Sequence, residues 1–224
     1  MSWRFDGHVH SRHSKDAKGS LLELAEAAQA RGLHGFAITD HDSIAGHAEI
    51  HDAQHATGVR ILPSIEVTSA EGHVLAYGVH EAIPKGMSFA RTQAAVEAQG
   101  GVAVLAHPLK MFSGIGPRGL DRRHQEGLVR AAEGRNGRER RIVQENTEAL
   151  LAKLGIPATG GSDAHWIKDI GTSYTILPHP PADDEAWVAM IRDGLCRPGG
   201  GNLPRRKVWG HGLTVPVRNL RKQD

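Results

Sequence analysis

Short apolar runs of strand length alternate with longer stretches of helical periodicity along most of this chain. That alternation constrains the fold most, because strand then helix, repeated, gives a parallel sheet with helices outside it. Trp3 to Val9 reads as a first strand, Gly35 to Thr39 as a second, and Val59 to Val67 as a third with a break at Pro63. Val74 to Val79 is a fourth, joined to the third through the turn-like Ala70-Glu71-Gly72. Val102–Ala106, Leu128–Glu133, Ile156–Thr159 and Ser173–Leu177 complete the strands. Helices are predicted over Leu21–Arg31, Ala45–Thr57, Phe89–Gln99, Glu139–Leu154 and Glu185–Arg192. In the first, Leu21, Leu24, Ala25 and Ala28 recur at helical spacing behind Ser20 as N-cap, and Gly58 closes the second. Residues 108–127 and 198–224 show little pattern. With 224 residues, one barrel is a normal size, so residues 1–196 are read as the barrel and 197–224 as a Gly-rich, basic tail.

Several of the apolar runs stop on residues with chemical potential. His8 and His10 flank Val9 at the end of the first strand, where residues i and i+2 share a face and can grip one ion. The second strand ends in Thr39-Asp40-His41-Asp42 and the third near Glu66. His73 opens the fourth, His107 follows Val102–Ala106 directly, and Asp163 and His165 follow the seventh. Barrel enzymes keep their sites at these strand ends. A closed or partly closed barrel is therefore favoured over an open doubly wound sheet. No G-x-G-x-x-G follows the first strand and no P-loop is present.

The histidines carry the same message. There are 15 of them against ten Phe, Trp and Tyr residues together, and histidine is the commonest metal ligand. The single Cys196 excludes an internal disulfide and thiolate zinc modules. The N-terminus lacks the apolar run of a signal peptide and no stretch approaches the ~20 apolar residues of a membrane span, so a cytoplasmic protein is expected. His47, His51 and His55 share a helix face at i, i+4, i+8, read as a solvated face. Asp6, Asp40 and Asp42 are expected to orient ligand histidines.

These pieces together resemble the PHP family, named for polymerase and histidinol phosphatase domains. The matching segments are Asp6-Gly7-His8-Val9-His10, Ser14-Lys15-Asp16, Ile38-Thr39-Asp40-His41-Asp42, Ile65-Glu66, Gly72-His73, Ala106-His107-Pro108 and Gly161-Ser162-Asp163-Ala164-His165, in family order. Glu133-Gly134-Arg135-Asn136-Gly137-Arg138 also resembles a segment of stand-alone members. Gly7 departs from the pattern, which often has an apolar residue there.

The resemblance implies a distorted (β/α)7 TIM-like barrel of the PHP type holding two or three divalent ions. One ion would be held by His8, His10, Glu66 and Asp163. A second would share Glu66 and take His73 and His107. A third would use Asp16, or alternatively His13, with His41 and His165. Imidazole and carboxylate donors suit Zn, Mn or Fe. Glu66, His107 and Asp163 are the expected catalytic residues. Two ions about 3.5–4 Å apart can activate water and neutralise charge in an in-line displacement. Hydrolysis of a phosphate ester by a metal-activated hydroxide is the implied activity, without a covalent enzyme intermediate. The expected substrate is a small phosphorylated metabolite or nucleotide. Lys110, Arg118, Arg135 and Arg138 are candidates to hold its phosphate. The alternatives are an exonuclease acting on short oligonucleotides, which the basic tail favours, and a non-catalytic metal-binding domain.

Overall fold

A computed structural model of the chain describes residues 2–203. Strands β1 (Trp3–Val9), β2 (Gly35–Ile38) and β3 (Arg60–Ser69) run parallel and in sequence. Strand β4 (Gly72–Tyr77) turns back as a hairpin, and β5 (Val102–Leu105) reverses direction again. Strands β6 (Ala131–Asn136) and β7 (Ala158–Gly161) continue parallel to it. The sheet then curls until its ends meet: Val9 bridges Ala164, with His10 N–H donating to Ala164 O at 2.9 Å. The result is a nearly closed seven-stranded barrel. Two antiparallel strands, β8 (Ser173–Leu177) and β9 (Arg197–Gly200), extend the sheet beyond β1. Strand β9 carries the sheet past residue 196, where the sequence reading ended the barrel. The rest of the expected tail, from 204 on, lies outside the described residues.

The connecting helices are α1 (Leu21–Ala30), α2 (Ile50–Thr57), α3 (Phe89–Glu97), α4 (Gly116–Gln125), α5 (Arg141–Leu154) and α6 (Asp184–Arg192). Helix α1 begins with a capping box: Glu23 N–H donates to Ser20 Oγ at 3.3 Å and Ser20 N–H to Glu23 Oε2 at 2.8 Å. Gly58 closes α2 at φ 73°, and the turn before α2 is 3₁₀ from Ala45 to Glu49. One buried cluster takes Phe5, Ala37, Leu62, Tyr77, Val104 and Ala131 from six successive strands, so it fills the inside of the curved sheet. Trp187 of α6 joins it, edge-on to Trp3 and Phe5 at 4.6 and 4.9 Å between centroids. Two more clusters lie between the sheet and the outer helices. No helix among the described residues is long and apolar enough to cross a membrane.

Several expectations shift. Strand β3 runs unbroken through Pro63, whose carbonyl accepts from Gly78 N–H at 2.9 Å just past the last paired residue of β4. The sixth and seventh strands lie two or three residues later than predicted. Helix α4 occupies a stretch read as irregular. Its sequence offers one buried apolar residue, Leu120, and many arginines, so no periodicity announces it. Gly7 has a packing reason: an added Cβ would lie 2.7 Å from the Tyr77 hydroxyl, which donates to Gly7 O at 2.7 Å. The Tyr77 side chain fills the space a larger residue at position 7 would take.

Candidate metal centre

The C-terminal ends of β1, β2, β3, β5 and β7 bring their polar residues to one cleft. Tight turns aim them. Asp42, His107 and Asp163 adopt φ values of 50°, 25° and 54°, a region that non-glycine residues rarely occupy. Such strain persists only where the surroundings enforce it, and all three residues lie two to four positions past the end of a barrel strand.

Glu66, on β3 and 1% exposed, is the hub. Its Oε1 lies 2.8 Å from His73 Nδ1 and 3.1 Å from His107 Nε2. Its Oε2 lies 2.9 Å from His41 Nδ1 and 3.4 Å from Nε2 of both His8 and His10. Asp163 Oδ1 stands opposite, 3.7 Å from His8 Nε2 and 3.5 Å from His10 Nε2. Asp16 completes the group, 3.2 Å from His165 Nε2 and 3.6 Å from His41 Nε2. The structure thus gathers all nine residues named as ligands. His13 stands apart: its Nε2 lies 2.8 Å from Glu49 Oε1, which also accepts from Arg12. Beyond the sets expected from the sequence, the rings of His41 and His165 both lie 4.4 Å from that of His10, close enough to share an ion with it.

The donor set fits divalent ions on physical grounds. His8 Nε2, His10 Nε2 and His107 Nδ1 are buried with no hydrogen-bond partner. Buried polar atoms are rarely left so, and here three imidazole nitrogens are orphaned in one place. Burial pushes His10 down to about 4 and also lowers His107, with Lys110 adding to the second effect. Both are therefore neutral and carry a free lone pair. Burial would raise Glu66 and Asp163. The charge of His8 and hydrogen bonds from His107, His41 and His73 outweigh it at Glu66, and Lys110 and His8 outweigh it at Asp163, so both stay well below the usual carboxylate range. Burial likewise opposes charge on His8, yet Glu66, Glu133 and Asp163 raise it well above its ordinary value. A site that draws a proton this strongly is short of positive charge.

Glu133 is the residue that sequence reasoning missed as a contributor to the site. It is buried on β6, with Oε1 3.2 Å from His8 Nδ1, and it accepts from His107 N–H at 2.8 Å and Asn136 Nδ2 at 2.9 Å. A carboxylate on the far nitrogen fixes a ligand histidine's tautomer and raises its basicity. The signal was there in the segment Glu133 to Arg138, read only as a family likeness. The aspartates assigned this task do something else. Asp6 accepts from the backbone N–H of His8, Ser162 and Gly171, tying β1 to the loops after β7. Asp42 accepts from Thr68 N–H at 2.7 Å. Only Asp40 works toward a histidine, through Ser14, whose hydroxyl donates to it at 2.6 Å and lies 3.4 Å from His10 Nδ1.

Of the four candidate phosphate-binding residues, two reach the cleft. This cavity of 330 Å³ is lined by Asp16, His41, Glu66, His73, His107, Asp163 and His165 together with Lys110 and Arg138, while His8 and His10 lie buried behind it. Lys110 Nζ donates to Asp163 Oδ2 at 3.2 Å; burial opposes its charge, but Asp163 and Glu66 outweigh that and raise it. Arg135 is a correction. A register shift between Glu133 and Arg135 turns its side chain outward, to Glu148 at 2.7 Å and to Gly200 O. Arg118 is a second correction, exposed on α4 and outside the cleft lining. The helix with three histidines is not uniformly solvated either: His47 turns in to Ser64 O at 2.9 Å, while His51 and His55 stack in the open.

A model of the PHP domain matches residues 6–155, and one of a PHP-associated segment matches 144–196. An uncharacterized protein of Methanocaldococcus jannaschii is 30% identical over 113 residues, 46% of this chain and 66% of that protein. A 5'-3' exoribonuclease of Haemophilus influenzae is 31% identical over 108 residues, 46% of this chain and 39% of its own length. Both matches thus span only part of those relatives. Among solved structures, a two-domain protein of Bacteroides vulgatus, described as containing a predicted PHP-like metal-dependent phosphoesterase, superposes with a TM-score of 0.70 at 17% identity, over 90% of this chain and 65% of that one. At that identity it shows the shared barrel. The family match covers most of the chain, and with it this chain belongs to the PHP domain family.

Proposed function

We propose that this chain is a metal-dependent phosphoesterase that hydrolyses a phosphate ester of a small phosphorylated metabolite or nucleotide. Two or three divalent ions (Zn, Mn or Fe) would be held by His8, His10, Asp16, His41, Glu66, His73, His107, Asp163 and His165. The observation that carries this reading is the pair of orphaned Nε2 nitrogens of His8 and His10, both facing buried Glu66 and Asp163. When bound, such ions supply Lewis acidity and an acidified water. The chain's own residues do the rest. Glu66 presents its two oxygens to different histidines and so can bridge. Glu133 holds His8 in one tautomer, and Lys110 and Arg138 offer cations to the phosphate oxygens at the mouth. Among the described residues no serine, threonine or cysteine lines the cleft, which favours attack by water over a covalent enzyme ester.

A second reading, an oligonucleotide phosphodiesterase with the same site, is supported by the exoribonuclease among the relatives. Metal analysis and phosphate release from a panel of phosphorylated metabolites and short oligonucleotides test both. Chelator should abolish release, and His107→Ala should lower it by at least about 100-fold, as expected when metal geometry is lost. Full activity in that variant would refute the site. Stoichiometric metal with no hydrolysis of any ester would leave a binding domain instead.

A further inference from the structure

The loop that carries Lys110 into the cleft also holds the most exposed aromatic ring among the described residues. Phe112 is 100% exposed and Met111 77%. Phe112 sits at φ 72°, a left-handed conformation unfavourable for a bulky side chain. This is not slack chain. Lys110 N–H donates to His107 O at 2.9 Å, Gly114 N–H to Lys110 O at 2.9 Å, and Gly116 N–H to Pro108 O at 2.8 Å. His73 N–H donates to Ser113 O at 2.9 Å, so the loop is clamped to a strand that feeds the cleft. A well-tied loop therefore holds an apolar, strained tip in water, two residues and at most about 7 Å of chain from the lysine at the mouth. Strain of this kind, kept by its surroundings, marks ligand clamps.

What would such a tip meet? The other large exposed apolar residues, Leu22, Ile142 and Leu195, lie on α1, on α5 and after α6. With Met111 and Phe112 alone, the tip falls far short of the roughly 1,000 Å² a stable protein partner needs. One ring face suits one planar ring. Lys110, two residues away along the chain, and Arg138 line the cleft and suit a phosphate there. Nucleotides are a widespread class of compound that carries a flat aromatic ring and a phosphate ester together, and their base is a large enough ring to span from the cleft to the tip.

The geometry points to Phe112 as a stacking platform for a nucleobase whose phosphate ester lies in the cleft, with Met111 packing at the ring edge. This rests on the phosphoesterase reading and narrows it to base-bearing substrates. Aromatic side chains hold bases in this way without reading their identity, so purines and pyrimidines should both be accepted.

The test compares adenosine 5'-monophosphate with ribose 5-phosphate, the same ester without its base, and adds a 5'-phosphorylated dinucleotide to separate free nucleotides from strand ends. The selectivity for the nucleotide over ribose 5-phosphate, as a ratio of kcat/KM, should fall about 5- to 100-fold in Phe112→Ala. Phe112→Trp should restore it. Phe112→Gly relieves the backbone and should melt no lower than the parent, so the same loss there cannot come from unfolding. Independently of turnover, the fluorescence added by Phe112→Trp should be quenched by adenosine 5'-monophosphate and not by ribose 5-phosphate. An unchanged ratio in Phe112→Ala, or equal quenching by both esters, overturns the platform while hydrolysis still stands. Selective quenching without hydrolysis of any ester upholds the platform and refutes the phosphoesterase. A dimer that Phe112→Ala dissociates in sedimentation would assign the ring to a second copy and overturn the proposal.

Discussion

At the scale of single residues, the centre depends as much on what holds the ligands as on the ligands. Glu133 touches His8 Nδ1 and His107 N–H, so it orders donors from two strands at once. Glu133→Gln should weaken zinc or manganese binding by about 10–100-fold in a competitive chelator titration, with the fold retained. Glu139, in the loop beside Arg138, is a different kind of residue. Burial, and then the charge of Glu133, push its carboxyl from 4.5 up to about 7, and its Oε1 has no hydrogen-bond partner. The folded state thus binds this proton more tightly than the unfolded chain. Its contribution to stability is fully present below pH 4.5 and is lost as pH rises through 7. In chelator-treated protein, Glu139→Gln should stabilise the fold at pH 8 by on the order of 1–3 kcal/mol and do little at pH 4.5. Urea titrations at the two pH values check this, and equal effects at both would refute it.

At the scale of elements, the barrel is a device for delivering side chains to one end and apolar mass to the other. Helix α6 supplies Trp187, fully buried against Trp3 and Phe5 at the N-terminal start of β1. Trp187→Ala should cost about 3–5 kcal/mol. For a domain of this size that corresponds to a melting temperature lower by roughly 6–20 °C, measurable by circular dichroism. Metal content should survive at temperatures below that transition, because the cavity opens away from the ligands. The bulge in β6 has the opposite kind of consequence. One irregular step separates Glu133, facing the histidines, from Arg135, facing Glu148, where simple strand alternation would put both on one side.

At the scale of the whole molecule, the centre and the fold should be one thermodynamic system. The proposed ligands come from residues 8 to 165, and ions bound to them would hold together strands from across the barrel. Ions that bind the folded state alone add stability by mass action, about 4 kcal/mol at a thousandfold excess over Kd. Removing them with chelator should lower the melting temperature by roughly 8–16 °C, and re-addition should restore it. A melting curve indifferent to chelator would mean the nine residues hold no ion that matters to the fold.

The strand–helix alternation and the barrel are legible in the residue pattern, as are donors that end or follow an apolar run, such as His8, His10 and His107, whereas the full set of nine, with Asp16 or His13, is what the family resemblance implies. The pattern also contains the Ser20 cap and the Gly58 stop, which are local chemistry. Tertiary structure decided the rest. Asp16 rather than His13 reaches the cleft because Glu49 engages His13. Lys110 and Arg138 line it while Arg118 and Arg135 do not, because an exposed helix and a single bulge aim them elsewhere. Glu133 became part of the centre only when β6 came to lie where its carboxylate meets His8, 125 residues away along the chain. Local pattern fixes which face of an element a side chain occupies. Which residues meet across the barrel is set by how that element packs on its neighbours, and no run of sequence contains that information alone.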